Sequence, residues 1–214
     1  MISYDRFEAG GASEWRMRVG GDVGPPILFV PPLLEEMNRT RALIAAVMRL
    51  LAKRGYRCIL PDLPGTGESP RALEEIAWND WRHGVTRAAP AATASVAIRG
   101  GCLIDDAADT IRAWRLAPVD GASLVRDLER AGLAAGGGSA GYSPSPALLE
   151  ALRSAKPSPL PGARIVRLAN DRGEAHLKLE GPPLWRRSEP GTSAALASAI
   201  AADIDTWIGQ CAGS

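Results

Sequence analysis

The chain has 214 residues, of which 46% are apolar and 23% charged, and a net charge of +1. This is an ordinary globular composition, long enough for one domain with a full core or at most two small ones. The near-neutral balance gives no electrostatic reason to expect nucleic acid as a partner, and no apolar run approaches the ~18 residues of a spanning helix.

Three cysteines, Cys58, Cys102 and Cys211, stand at no metal-ligand spacing. An odd number without such spacing predicts reduced thiols, a cytoplasmic location and no metal. No cofactor is expected either. The opening Met1-Ile-Ser-Tyr-Asp-Arg-Phe7 is too polar for a signal peptide.

Two strands are expected first, around Ser3–Phe7 and Glu14–Val19, with Gly10-Gly11 between them. In Trp15-Arg-Met-Arg-Val19 apolar residues alternate with arginines, which predicts a half-buried strand at a sheet edge. Ile27-Leu-Phe-Val30, ending in Pro31-Pro32, suits a strand buried on both faces. A polar segment, residues 33–41, precedes a helix expected over Asn38–Arg54 and closed by Gly55. Tyr56-Arg-Cys-Ile-Leu60 completes a βαβ unit, so its two strands should be parallel.

Trp78 begins a second helix, which Pro90 ends. The apolar strand Ala94–Ile98 then runs into Arg99-Gly-Gly101 and a helix expected over 101–110. Ala113–Ala117 reads as a strand and Gly121–Ala134 as an amphipathic helix. A Gly/Pro-rich excursion around 134–161 holds the most flexible stretch, Gly136–Gly141, and a short helix near Ala147–Ser154. Strands Ala163–Leu168 and Ala175–Leu179 are joined by Asn170-Asp-Arg-Gly-Glu174, a link that suggests a hairpin rather than a parallel crossover. A last helix runs over Thr192–Gly209. Strands alternating with helices predict an α/β fold, a mostly parallel sheet covered by helices on both faces.

Two motifs resemble the α/β-hydrolases. Asp62-Leu-Pro-Gly-Thr-Gly-Glu-Ser69 is similar to the D-x-x-G-x-G-x-S turn after their fourth strand. Ala97-Ile-Arg-Gly-Gly101 occupies the place of the nucleophile elbow, G-x-S-x-G, with Arg99 at the serine position. Four segments resemble a narrower group, the exosortase-A-system-associated hydrolases of the second type. They are Phe29-Val-Pro-Pro-Leu-Leu-Glu-Glu-Met-Asn-Arg39, Ile98-Arg-Gly-Gly101, Ala117-Pro-Val-Asp-Gly-Ala-Ser-Leu-Val-Arg126 and Gly181-Pro-Pro-Leu-Trp-Arg-Arg-Ser-Glu189. The resemblance implies a single, reduced and cap-poor α/β-hydrolase-like domain over 1–214, in bacteria that make exopolysaccharide and sort proteins. It also implies that Arg at the elbow is normal for the group.

A serine hydrolase needs a nucleophile, a histidine, an orienting acid and an oxyanion hole. Arg99 cannot be the nucleophile, since its guanidinium stays protonated and has no acceptor. His83 falls in a helix and His176 inside a strand, not in the loop beyond it, where the triad histidine belongs. Cys102 should face the core as inert packing. Asp62 and Ser69 should serve their own turn. Ligands of open α/β sheets sit beyond the C-terminal strand ends. The candidate binding residues there are Glu35, Glu36, Asn38, Arg39, Arg99, Trp185 and Glu189. Arg99 at a turn onto a helix favours an anion: a ligand carboxylate or phosphate, or Glu35 or Glu36 in an internal pair. Trp185 reads as core or lid packing, or as a sugar-stacking platform.

Three functions stay open on these residues. The preferred one is a pseudo-hydrolase that binds an anionic or polar small molecule. The others are a hydrolase or acyl transferase working through Glu36, Asn38 and Arg99, and an interaction scaffold, a homodimer through an exposed helix or edge strand.

Overall fold

Eight strands form one sheet in the computed structural model, which describes residues 1–110, 112–134 and 142–212. They are β1 (Ile2–Ala9), β2 (Ala12–Val19), β3 (Pro26–Val30), β4 (Arg57–Pro61), β5 (Ala94–Ile98), β6 (Ala113–Leu116), β7 (Arg164–Leu168) and β8 (Leu177–Leu179). Their order is β1-β2-β4-β3-β5-β6-β7-β8. β2 runs antiparallel to both β1 and β4, and every other neighbouring pair is parallel. The helices are α1 (Glu35–Lys53), α2 (Trp78–Ala88), α3 (Gly121–Ala134), α4 (Pro146–Ser154) and α5 (Ala194–Ala212).

Period-two alternation divides the core between the two faces. Ile27 and Phe29 of β3 pack with Leu43, Val47 and Leu51 of α1 and with Ile200 and Ile204 of α5. Leu28 and Val30 point the other way, into a cluster with Trp81 and Val85 of α2, Leu124 of α3 and Leu148 of α4. β3 and β5 are buried at every position, as central parallel strands covered on both faces are. The sheet is covered on both faces, the expected α/β arrangement of a mostly parallel sheet between helices.

Several expectations need correction. α1 begins at Glu35, not Asn38, so the polar segment after β3 is its first turn. The arginine-rich β2 is not the edge: β1 pairs with it over its full length and takes the outer position. β7 and β8 are parallel, not a hairpin. Only three residues of β8 pair with β7, from Leu177 opposite Val166 to Leu179 opposite Leu168. The return path is therefore short enough for the connecting loop.

No α-helix follows the elbow. The chain makes two short 3₁₀ turns, Arg99–Leu103 and Asp105–Ala107. Gly100, Gly101 and the aspartates are weak helix formers. Side chains hold the segment instead. Asp105 accepts from Nε and Nη2 of Arg115 on β6, both at 2.7 Å. Asp106 pairs with Arg82 on α2 at 2.7 Å and accepts from the Ser158 hydroxyl. Part of the Gly/Pro-rich excursion resolves into α4, as expected. Gly136–Gly141 and the Cys211 side chain lie outside the described residues.

The Asp105–Arg115 pair is sealed, with side chains 0% and 4% exposed. Removing one partner of such a pair typically costs about 3–5 kcal/mol, whereas replacing both with apolar residues is close to neutral. Arg115→Met should therefore lose about that much stability in urea unfolding, and Arg115→Met with Asp105→Leu should recover most of it. Equal stability of the single variant and the parent would remove the pair as the anchor of this connection.

Candidate functional site

β5 ends in a true elbow. Arg99 takes φ +53°, a left-handed conformation that costs a branched or long side chain of order 1 kcal/mol. The next two positions have no room for a side chain. A Cβ on Gly101 would lie 2.6 Å from the carbonyl oxygens of Val30 and Pro31, and one on Gly100 would press on Leu124 and Leu33. These glycines let the turn pack against the end of β3, where α1 begins.

The elbow presents a guanidinium, and an internal carboxylate meets it. Arg99 Nε donates to Glu36 Oε1 at 2.9 Å, and Nη2 lies 2.8 Å from the same oxygen. Glu36 Oε2 accepts from the Gly100 backbone N–H at 3.3 Å. The carboxylate thus covers the backbone amide just after Arg99. Of the two acids left open by sequence, Glu36 turns inward and Glu35 does not. Leu34, at φ +54°, makes the turn into α1. Burial pushes the Glu36 carboxyl up, while Arg99 and the Gly100 N–H pull it back. The guanidinium also sits 5.1 Å above the Trp185 ring, a cation–π contact.

Four other candidates gather nearby. Arg39 bridges α1 to the segment after β8, donating to Glu35 Oε1 at 3.2 Å and to the Trp185 carbonyl at 3.1 Å. Asn38 donates to Glu35 and, at 2.8 Å, to the Tyr142 hydroxyl. Trp185 is buried between these groups. Glu189 is the one that does not join: it is exposed and lines none of the cavities around the elbow.

A cavity of about 470 Å³ opens beside the ion pair, between the start of α1, α3 and the segment after β8. Its apolar side is Leu33, Leu34, Leu124 and Leu128. Glu35, Glu36, Arg39, Asp127 and Arg130 supply the polar side, with Trp185 and Arg186 closing one wall. This is the size and mixed character of a small-molecule site.

Among the described residues neither histidine lines the cavities at the elbow. His83 is exposed on α2. His176 is also exposed and, contrary to expectation, precedes β8 rather than lying within it; its Nδ1 accepts from the Ile165 N–H. The Cys102 thiol is fully buried, and burial pushes it well above its ordinary value. Among the described residues no group of three or more His, Cys, Asp or Glu could hold a metal. Two acids went unnoticed in the sequence. Asp171 follows β7, and its only signal was its place at a strand's C-terminal end; it accepts from Arg167 and from the Gly173 N–H. Glu14 sits in an arginine-rich strand and gives no local signal.

Glu14 lies beneath the glycine turn. Asp62 accepts from the Glu68 N–H, and Ser69 Oγ accepts from Gly65 N–H, so both serve the turn as expected. The Ser69 hydroxyl donates in turn to Glu14 Oε1 at 3.1 Å. Glu14 is fully buried, and its Oε2 has no partner among the described residues.

No protein-family model matches the chain, and no curated protein matches it in sequence. Solved structures do resemble it. Potato (Solanum tuberosum) epoxide hydrolase I is 22% identical over 54% of this chain, with a TM-score of 0.42. Epoxide hydrolase VrEH1 from Vigna radiata is 19% identical over 56%, with a TM-score of 0.44. The chain spans about 40% of the length of these enzymes, and the likeness is one of fold.

Two predictions follow from these geometries. Glu36→Ala leaves Arg99 buried without its anion, so it should cost about 3–5 kcal/mol in urea unfolding. Added acetate or formate should restore part of that loss; no loss, or no rescue by either anion, would mean the elbow does not depend on a bound carboxylate. Burial is the largest influence on Glu14 and pushes its carboxyl up, against the Ser69 hydroxyl and Arg71. A folded-state value above the unfolded one contributes stability that is whole in acid and lost as pH rises through the folded value. Relative to Glu14→Gln, the parent should therefore lose stability as pH rises above the ordinary carboxylate range in parallel urea titrations. Parallel pH profiles would rule this out.

Proposed function

We propose that this protein is a pseudo-hydrolase: an α/β-hydrolase-type fold that binds a small polar or anionic molecule in the cavity beside the elbow and does not cleave it. One observation carries the reading. The Glu36 carboxylate sits on the Gly100 N–H and on Arg99. Both the side chain at the nucleophile position and the amide that would stabilise an oxyanion are thereby committed to an internal contact, while a cavity of about 470 Å³ stays open alongside. A carboxylate held by a guanidinium and an amide is a stable arrangement, and no imidazole stands within the site to activate water.

The motif resemblance supports a place in bacterial exopolysaccharide production or protein sorting, as one cytoplasmic domain. Among the described residues no helix is long and apolar enough to cross a membrane.

The test is a thermal-shift screen of acyl, phosphoryl and sugar metabolites, paired with ester turnover. A ligand at 100 times its dissociation constant adds about 2.7 kcal/mol, which for this chain length raises Tm by roughly 5–10 °C. Ala131→Trp, on the α3 wall of the cavity, should abolish the shift in a folded protein. Arg99→Ser restores an elbow serine but supplies no histidine, so its hydrolysis of p-nitrophenyl acetate should stay at the uncatalysed rate. The reading fails if the parent turns over esters and loses that turnover on substitution of Glu36 or Arg99. It fails equally if no metabolite shifts the parent.

A further inference from the structure

A second concavity lies on the other side of Trp185. It has a volume of about 270 Å³ and is bounded by the loop after β7 and the segment after β8. Three arginines line it: Arg99, Arg172 and Arg186. Arg99 commits Nε and Nη2 to Glu36. Arg172 and Arg186 are exposed, and neither guanidinium makes a hydrogen bond or ion pair with the described residues. The single acid in the lining, Asp171, is already engaged. It accepts from Arg167 at 2.8 Å and from the Gly173 N–H at 2.9 Å, and nearby cations, Arg99 among them, hold its carboxyl below the usual range.

From this arrangement we propose that the recess binds the phosphate group of a phosphomonoester. Glu36 balances Arg99 and Arg167 balances Asp171, so Arg172 and Arg186 leave a surplus of about two positive charges, and a phosphomonoester carries about −1.5 to −2 at neutral pH. A carboxylate would neutralise only half of that. Guanidinium groups also match phosphate oxygens in bidentate geometry, and the free Arg172 and Arg186 are available for it. Asn170 adds an amide at the rim. The recess is too small for a large organic body, so it takes the head group and a small polar remainder. This site goes beyond the cavity reading above: Arg172 and Asp171 line the recess alone, whereas Leu128 and Ala131 line the cavity alone.

The test is calorimetric titration with inorganic phosphate at constant ionic strength, repeated with acetate. Saturable binding of phosphate at neutral pH is expected, with acetate at least tenfold weaker. Arg172→Ala should weaken phosphate about tenfold, in line with the loss of one charge-assisted contact. Arg172→Ala with Arg186→Ala should bring it to background. Both residues are exposed, so the variants should melt as the parent does. Ala131→Trp should leave phosphate affinity unchanged even where it blocks ligands of the larger cavity. The proposal is overturned by absent or unsaturable binding, by acetate binding as well as phosphate, by a normal affinity in Arg172→Ala, or by loss of phosphate binding in Ala131→Trp.

Discussion

The Arg99–Glu36 ion pair joins the end of β5 to the first turn of α1, and the shape of the site depends on it. Both side chains are under 10% exposed, and desolvating two charges is costly unless they meet each other and further donors. Here the remaining carboxylate oxygen finds the Gly100 N–H, and the outer face of the guanidinium finds the Trp185 ring. One contact therefore positions three segments: the elbow, the helix start and the chain after β8. Arg39 reinforces the last of these by donating to the Trp185 carbonyl.

That arrangement turns the usual logic of this fold around. An elbow strains its backbone to lift a nucleophile toward substrate, beside amides ready for developing negative charge. In this chain the strain persists at φ +53°, and Gly101 still packs against backbone where no side chain fits. The lifted group is a cation, and the charge on the amide is present in the resting protein. The strained turn holds the guanidinium on Glu36, which lines one concavity, while Arg99 itself lines another. On one side lies a half-apolar cavity and on the other a recess with a cationic surplus.

The rest of the scaffold shows a similar reliance on buried polar contacts. The connection after the elbow has no helix and is anchored by Asp105 to Arg115 and by Asp106 to Arg82. Beneath the glycine turn a buried Glu14 receives the Ser69 hydroxyl. Arginine suits these roles because its planar fork can hold a carboxylate with two parallel bonds while staying charged. The arginines of this chain thus include several structural cations.

Much of this fold is written in local pattern. The unbroken apolar run ending in Pro31-Pro32 marked β3 as a strand buried on both faces, and 3.6-residue periodicity marked α2 and α3. The glycine turn and the elbow were legible because their steric needs are local. So was the charge carried by the turn after β5, since the side chain at position 99 is chemically unambiguous. Tertiary structure decided the remainder, because it turned on partners distant in sequence. Glu35 and Glu36 are indistinguishable as adjacent acids; only the direction of the chain through Leu34 turns one of them to Arg99. β2 looked like an edge until β1 covered it, and β8 looked like a hairpin partner because loop length alone does not reveal how little of the strand pairs. Trp185 and Arg172 meet Arg99 only because parallel strands bring their C-terminal ends to one side of the sheet, a juxtaposition that local sequence does not encode.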